Sequence, residues 1–422
     1  MKNIKISTKP YVYKIDNVNV IRVNLLYPVQ VEPRYLDTYK LRLMNNIMGK
    51  SSKKYNEIDI FNKVLDKNLV IRYKIGYFRF VNELFITVQY AIPKEGLIDD
   101  FDLDEAFKLL HELLYNPDVS SKKFNSKNFN WSKDIMLNQM EQEINNIYDL
   151  SEEETRLFFD PESKYYIHKD EAIKLVEQTT PENVYEYYEK NIKNNKFISF
   201  IFGAINDEDK ILKTFNKYFK QEECLLNMKA DEYNYIPYTD YQEKEIKTKY
   251  NQSVISQIYQ VERIKEKDEI TMRMLFDFLY SKENALIFST LRNKYHLVYE
   301  CSVKYNHVHG LISIKALMDK NDRELINKLI EETIYSLRDE EVFNRCKNNL
   351  LRSLSYDLLD DEDDDFHDVL VKISKLIKWQ DDIEYYIKQV KKVDFEKMNE
   401  LLTRFKLSRN LFMEGGHYEE NL

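Results

Sequence analysis

The amino-acid sequence predicts an α+β protein of two tandem domains with a common fold, each a mostly antiparallel sheet packed with helices. A length of 422 residues is too great for one ordinary core, and 43% hydrophobic residues are enough for two. The same order of predicted helices and strands also occurs twice along the chain. We expect an N-terminal domain at 1–222, a polar linker at 223–249 and a C-terminal domain at 250–422.

The composition excludes several classes of function. With 7 glycines and no G-x-G, the chain has no phosphate-binding loop or dinucleotide fingerprint. A net charge of −9 argues against nucleic acid as a partner, because binding its backbone requires a basic face. No apolar run approaches a membrane span, and the first residues lack the apolar core of a signal peptide. Three widely spaced cysteines fit a reducing compartment, so we expect a cytoplasmic protein.

In the first half, a change of apolar spacing between two and about 3.6 residues separates strands from helices. Thr180 and Pro181 mark one helix start, as N-cap and first helical residue. The predicted strands are 11–14, 18–26, 69–78, 83–92 and 197–203, and the predicted helices are 34–48, 55–65, 103–114, 130–148, 181–193 and 207–219.

In the second half, the stretch from Ala285 to Met318 changes from helical spacing to strict alternation, which predicts a helix followed by a hairpin. Arg292 and Tyr299 lie at the junction, seven residues apart. The predicted strands are 254–259, 297–305, 312–318 and 409–415, and the predicted helices are 269–279, 285–295, 320–337, 339–359, 368–377, 383–390 and 394–405.

Two series of elements recur. Helix, hairpin, amphipathic helix and long helix are predicted over 55–148 and again over 283–359. A capped helix and an apolar strand ending in glycine follow at 180–203 and again at 394–415. The residues themselves show little identity between the halves, so the repeat is one of pattern, as expected for two domains with one fold.

Three stretches of the chain resemble passages of one enzyme family. LRNKYHLVY at 291–299 resembles the stretch L-R-E-K-x-G-L-x-Y in the C-domain of the pitrilysin/insulinase zinc peptidases. Residues 165–188, including TTPEN at 179–183, resemble the passage before the last strand of its N-domain, and 252–255 resemble the first strand of its C-domain. The resemblance covers nearly the whole chain and is to the short two-domain members, the bacterial and mitochondrial processing peptidases. The resemblance implies that this chain forms one half of the clamshell-shaped enclosure that is typical of the family.

The first long helix departs from the family pattern. Active members carry H-x-x-E-H there, in which two histidines bind zinc and the glutamate activates water. The matching positions here are Arg42, Asn45 and Asn46, and neither residue type is a usual zinc ligand or a general base. Glu143 matches the family's distal glutamate ligand, although alone it is typical of a helix surface. The resemblance therefore implies a chain that binds no zinc and does not hydrolyse peptides by itself.

The family also assigns a role to residues that match Arg292 and Tyr299. There the pair reaches the partner domain's zinc site and contacts the carbonyl at the scissile bond. Two fixed donors, one of them charged, suit a developing oxyanion. Without the resemblance, the favoured interpretation is that Arg292 forms a surface ion pair while Tyr299 packs in the core. In two-subunit members one subunit holds zinc and the other supplies this pair, and the resemblance implies the second role here.

Other polar clusters are interpreted as solvated turns. His307 and His309 share a hairpin turn without a third ligand, and the acidic run 360–365 lacks the alternating ligands and glycine of an EF-hand loop. A basic partner surface remains the alternative interpretation of that run.

The sequence therefore predicts the non-catalytic subunit of a heterodimeric zinc peptidase that processes short or unfolded peptides such as leader segments. The expected partner is a homologous chain that carries H-x-x-E-H and the zinc. The alternative is a non-proteolytic scaffold or peptide-binding homodimer of the same fold. A neighbouring reading frame with H-x-x-E-H would favour the peptidase.

Overall fold

A computed structural model of the chain describes ten segments, which contain two compact units. The first unit is Met1–Glu141 with Lys164–Ala230, and the second is Gln142–Ser163 with Asp231–Leu422. This division differs from the predicted continuous domains at 1–222 and 250–422, because residues 142–163 belong with the second unit. The described segments are 3–15, 18–29, 38–80, 83–161, 168–229, 236, 238–280, 285–306, 309–357 and 383–416.

From residue 3 to residue 229, helices and strands follow one another with short connections. A π-helical turn (Glu189–Lys193) extends the seventh helix. The elements are β1 (Asn3–Ser7), β2 (Tyr11–Lys14), β3 (Val20–Val29), α1 (Thr38–Met48), α2 (Ile58–Lys67), β4 (Arg72–Phe80), β5 (Glu83–Pro93), α3 (Leu103–Tyr115), β6 (Val119–Ser120), β7 (Lys123–Phe124), α4 (Ser126–Ile144), α5 (Ile147–Phe159), α6 (Lys169–Gln178), α7 (Pro181–Tyr188), β8 (Ile198–Gly203), α8 (Glu208–Tyr218) and β9 (Leu225–Lys229).

The remaining elements form the second unit together with α5. A π-helical turn (Ser289–Lys294) extends the short tenth helix, and a 3₁₀ turn (Lys320–Asp322) precedes the eleventh. The elements are β10 (Gln242–Lys247), β11 (Ser253–Val261), α9 (Glu269–Tyr280), α10 (Leu286–Phe288), β12 (Val298–Asn306), β13 (Leu311–Met318), α11 (Arg323–Tyr335), α12 (Glu340–Asp357), α13 (Ile383–Lys392), α14 (Phe395–Arg404) and β14 (Phe405–Glu414).

Each unit contains a five-stranded sheet, and the two sheets have the same topology. The strand orders are β2-β8-β3-β5-β4 in the first unit and β10-β14-β11-β13-β12 in the second. In each, the first pair is parallel and the other three pairs are antiparallel. The predicted α+β class and the repeat of one fold are confirmed. The helix predicted at 368–377 lies outside the described residues.

A steric constraint explains the glycine at the end of the last strand of each repeat. A Cβ on Gly203 would lie 2.1 Å from the Val20 carbonyl oxygen, and this residue has φ +117°. A Cβ on Gly415 would lie 2.3 Å from the carbonyl oxygen of Gln252. Both strands therefore approach a neighbouring backbone more closely than any side chain allows.

The helix predicted at 130–148 is two helices. It breaks because α4 ends at Ile144 and Asn146 begins α5 as an N-cap, its side chain accepting a hydrogen bond from the Tyr148 amide. Ile147 and Tyr148 then pack on the sheet of the second unit, where Val254 is among their buried neighbours. The first half of the sequence thus supplies a cover for the second sheet.

The segment predicted as a polar linker, 223–249, contains two strands. β9 pairs with β1 in an antiparallel manner, and β10 pairs with β14 in a parallel manner. β10 is an edge strand with the sequence QEKEIK, and its residues alternate between exposed and half-buried. The expectation of an irregular linker was therefore wrong, because an edge strand needs no apolar alternation.

Candidate functional site

Arg292 lies in the π-helical turn Ser289–Lys294, just before β12. The preceding residue, Leu291, is fully buried and anchors the turn in the core, which leaves Arg292 exposed. Its guanidinium Nη1 donates a hydrogen bond of 2.5 Å to the carbonyl oxygen of Val298, the first residue of β12. One of its five N–H donors is thus used to fix the exposed side chain, which leaves others available to a ligand.

His296 gives the turn between the two candidate residues its shape. It has φ +55°, in the left-handed region that glycine adopts most readily. This is the position at which the resembling family stretch L-R-E-K-x-G-L-x-Y has its glycine. The backbone therefore has the conformation that the family's glycine suggests, although the residue here is histidine.

Tyr299 lies in a β-bulge at the start of β12. Val298 pairs with Met318 and Glu300 pairs with Leu317, so Tyr299 has no partner in the register. A bulge redirects a side chain, and here Tyr299 is 51% exposed rather than packed in the core. The surface position contradicts the alternative that Tyr299 is a core residue.

The hydroxyl of Tyr299 donates to the carboxylate of Asp319. Its distance to each carboxylate oxygen is 3.2 Å. This hydrogen bond, together with the negative charge of Asp319, raises the pKa of Tyr299, while the nearby charge of Arg292 opposes the rise. Sequence reasoning missed Asp319, because its contact with Tyr299 depends on the bulge at Tyr299, which the predicted alternation of β12 does not show.

A groove of about 280 Å³ lies near Arg292, between the end of α9 and β12. Asn293 contributes to it next to Arg292, and the partly exposed rings of Tyr280 and Phe288 form part of its wall. Cys301 also lines it, but burial raises the pKa of this thiol to about 11. The thiol is therefore protonated at neutral pH and a poor nucleophile. Apolar and polar side chains both line the groove, and Cys301 offers it no activated nucleophile.

The positions of the degenerate zinc motif lie on α1 and are half-buried. The Oδ1 atom of Asn45 is buried and has no hydrogen-bond partner within the described residues. Arg42 and Asn46 supply no anionic or imidazole ligand, so this helix does not fit a zinc ion. Glu143 is half-buried near the end of α4, in the part of that helix that belongs with the second unit.

In the part of the chain that the structure describes, no three His, Cys, Asp or Glu side chains come together to form another metal site. The backbone N–H of His309 donates to the Asn306 side chain in the hairpin turn, whereas His307 and the run 360–365 lie outside the described residues. Among those residues, likewise, no helix combines the length and apolarity that a membrane crossing requires.

Comparisons with known proteins agree with the fold. Residues 178–350, which include Arg292, Tyr299 and Asp319, match the family model described as Peptidase M16 inactive domain. The probable inactive metalloprotease YmfF of Bacillus subtilis is 24% identical over 265 residues. That match spans 60% of this chain and 60% of the curated relative.

Solved structures show the same architecture along the whole chain. A conserved protein from Enterococcus faecalis has a TM-score of 0.81 at 18% identity, covering 99% of this chain and 100% of that one. The peptidase M16 inactive domain from Pseudomonas fluorescens has a TM-score of 0.68 at 10% identity, covering 100% of both chains. At these identities the likeness concerns the fold.

Proposed function

Because the chain belongs to the M16, or pitrilysin, family and lacks the H-x-x-E-H motif of its active members, we propose that it is the non-catalytic subunit of a heterodimeric zinc peptidase. Its partner is a homologous two-domain chain that carries the motif and the metal. The observation that carries the proposal is the combination of a first helix unfit for zinc with an exposed Arg292 and Tyr299.

Arg292 and Tyr299 act on the substrate in trans. Both are on the surface of the second unit. Arg292 lies in the turn before β12 and Tyr299 lies near the start of that strand, so one short stretch of backbone positions both. Arg292 supplies charged donors and Tyr299 a single O–H donor, the two kinds of group that stabilise a carbonyl oxygen as it gains negative charge. The peptide itself lies extended along a sheet edge of the partner and pairs through its main chain.

The substrate is a short or unfolded peptide, because only an extended chain can present its carbonyl to both subunits at once. Leader segments of small peptides are one such class. We place the complex in the cytoplasm, a location supported by the three free cysteines. This chain binds no zinc of its own.

The test is to purify the chain with a homologous two-domain protein that carries H-x-x-E-H and to measure cleavage of an unfolded peptide. Activity should rise with added chain and saturate at one chain per partner. Tyr299→Phe should then lower kcat by about 10²–10³-fold, the usual cost of one oxyanion donor.

Tyr295→Phe is the matched control. Tyr295 lies between Arg292 and Tyr299 and is 42% exposed, and its hydroxyl has no role in the proposed mechanism. Equal rates for wild type and Tyr299→Phe would reject the role in trans. One tightly bound zinc per isolated chain, by elemental analysis, would reject the non-catalytic assignment. Binding of the peptide without cleavage by any combination of chains would instead support the scaffold.

A further inference from the structure

Tyr299 carries a single hydroxyl proton, and Asp319 holds it. A carboxylate can only accept hydrogen bonds, so the phenol must be the donor to the two oxygens that lie 3.2 Å away. A hydroxyl that donates to Asp319 has no second proton for a substrate carbonyl. In the arrangement observed, Tyr299 therefore offers only lone pairs to a ligand.

The carboxylate of Asp319 serves no other structural purpose in the described part of the chain. Asp319 is the N-cap of the 3₁₀ turn Lys320–Asp322, yet its side chain makes no capping hydrogen bond. The turn is closed instead by its backbone, through a hydrogen bond from the Asp322 amide to the Asp319 carbonyl. Within the described segments, Asp319 forms no ion pair, which leaves Tyr299 as its side-chain partner.

The backbone directs the two side chains at each other. Val298 pairs with Met318 at the open end of the antiparallel hairpin, so Tyr299 lies one residue inside this pair and Asp319 one residue outside it, and their side chains meet diagonally. The bulge at Tyr299 turns its ring out of the sheet, and Asp319 follows the last residue of β13. Among the described residues, Arg292 forms no ion pair with Asp319, and its hydrogen bond goes to the Val298 carbonyl.

We propose that Asp319 is a latch on Tyr299, holding the phenol proton in the free chain and releasing it when a substrate carbonyl arrives. The proposal rests on the trans role of Tyr299 and adds to it a positioning residue. Because both side chains are exposed, the latch is weak. A single exposed hydrogen bond changes an equilibrium by about 3- to 10-fold, and we expect a restraint of that size.

The experiment compares Asp319→Ala and Asp319→Asn in the reconstituted peptidase. Alanine removes the acceptor, so kcat/KM should rise by about 3- to 10-fold, and asparagine should give a smaller rise because its amide oxygen still accepts. Asp322→Asn is the control: its carboxylate also raises the pKa of Tyr299 through its charge but accepts no hydrogen bond from it, so the rate should stay constant. Adding Tyr299→Phe to Asp319→Ala should abolish the gain.

A second readout needs no partner. Titration of the Tyr299 ring carbon by NMR in the isolated chain should give a lower pKa in Asp319→Ala than in wild type, nearer the ordinary value of 10.0. An unchanged pKa would show that the contact is absent in solution and would overturn the latch. An unchanged or lower rate in Asp319→Ala, in an enzyme that Tyr299→Phe impairs, would overturn it as well. If Tyr299→Phe has no effect on the rate, the trans role itself fails, whatever the titration shows.

Discussion

Replacing Lys315 by methionine should loosen the packing of α5 on the sheet of the second unit. Lys315 lies on β13 and is 6% exposed, with its ammonium 2.7 Å from the backbone carbonyl oxygen of Tyr148 and 3.6 Å from the centre of the Tyr148 ring. It also lies 3.6 Å from a carboxylate oxygen of Glu152. One buried cation therefore joins the first two turns of α5 to the sheet.

The contributions set the size of the effect. A hydrogen bond from a charged donor contributes about 1.5–3 kcal/mol, and a cation over a buried ring about 0.5–2 kcal/mol. Methionine has similar length and avoids the cost of burying an ammonium, which offsets part of the loss. The Tyr148 carbonyl also keeps its hydrogen bond from the Ser151 hydroxyl. We expect the free energy of unfolding to fall by about 2 kcal/mol, or about 4–8 °C in Tm for a unit of roughly 200 residues.

Lys304→Met is the matched control. Lys304 contacts the same carboxylate, with its ammonium 2.7 Å from a Glu152 oxygen, but its side chain is 55% exposed. Exposed ion pairs contribute about 0–1 kcal/mol, so this variant should lose far less stability than Lys315→Met.

Denaturant unfolding followed by circular dichroism gives the free energies, and hydrogen exchange of the α5 amides shows whether the loss is local. Equal losses in the two variants, or unchanged exchange in Lys315→Met, would refute the reasoning. That result would mean that the apolar contacts of Ile147 and Tyr148 alone hold the helix.

Two further predictions concern stability. His296→Gly should raise the free energy of unfolding by about 0.5–1 kcal/mol, because His296 has φ +55° and glycine has no steric penalty there; His296→Ala should give no gain in the same denaturation assay. Burial alone would raise the pKa of Glu152, but the charges of Arg156, Lys304 and Lys315 prevail and lower it. The stability from this carboxylate is therefore complete above its ordinary pKa of 4.5 and is lost as pH falls through the lowered value, so wild type and Glu152→Gln should converge in stability between pH 5 and strongly acidic pH. A difference that stays constant over that range would contradict the assigned ion pairs.

Much of the fold could be predicted because each half of the chain carries its own apolar pattern. The hairpin of β12 and β13 is an example: Val303, Ile312 and Ile314 are buried at the positions that the alternation indicates. β10 was not predicted because its sequence is polar and none of its residues is fully buried. The end of α4 was not predicted because the polar cap at Asn146 interrupts a helical pattern that otherwise continues. Apolar spacing shows what a segment buries and not where a polar segment pairs.

The candidate site was predictable only in part. A short resemblance was enough to select Arg292 and Tyr299, and the structure brings both to the surface around one turn. Asp319 could not be found in this way, because its contact depends on a bulge that shifts the register of β12 by one residue. Such a shift leaves no mark in the spacing of apolar residues, yet it decides which partner the phenol meets.

The course of the chain through the two units has a consequence for synthesis. A ribosome delivers α5 long before the strands that it covers, since Tyr148 is 154 residues ahead of its hydrogen-bond partner Ser302. The first unit can fold once residues 164–230 are synthesised, when α5 still has no sheet to pack on. Until that sheet forms, the apolar face of α5 is exposed to water or bound by a chaperone. Docking of α5 is thus a late, long-range step, of the kind that slows folding. A fragment cut between the predicted domains at 222 would leave α5 permanently without its sheet.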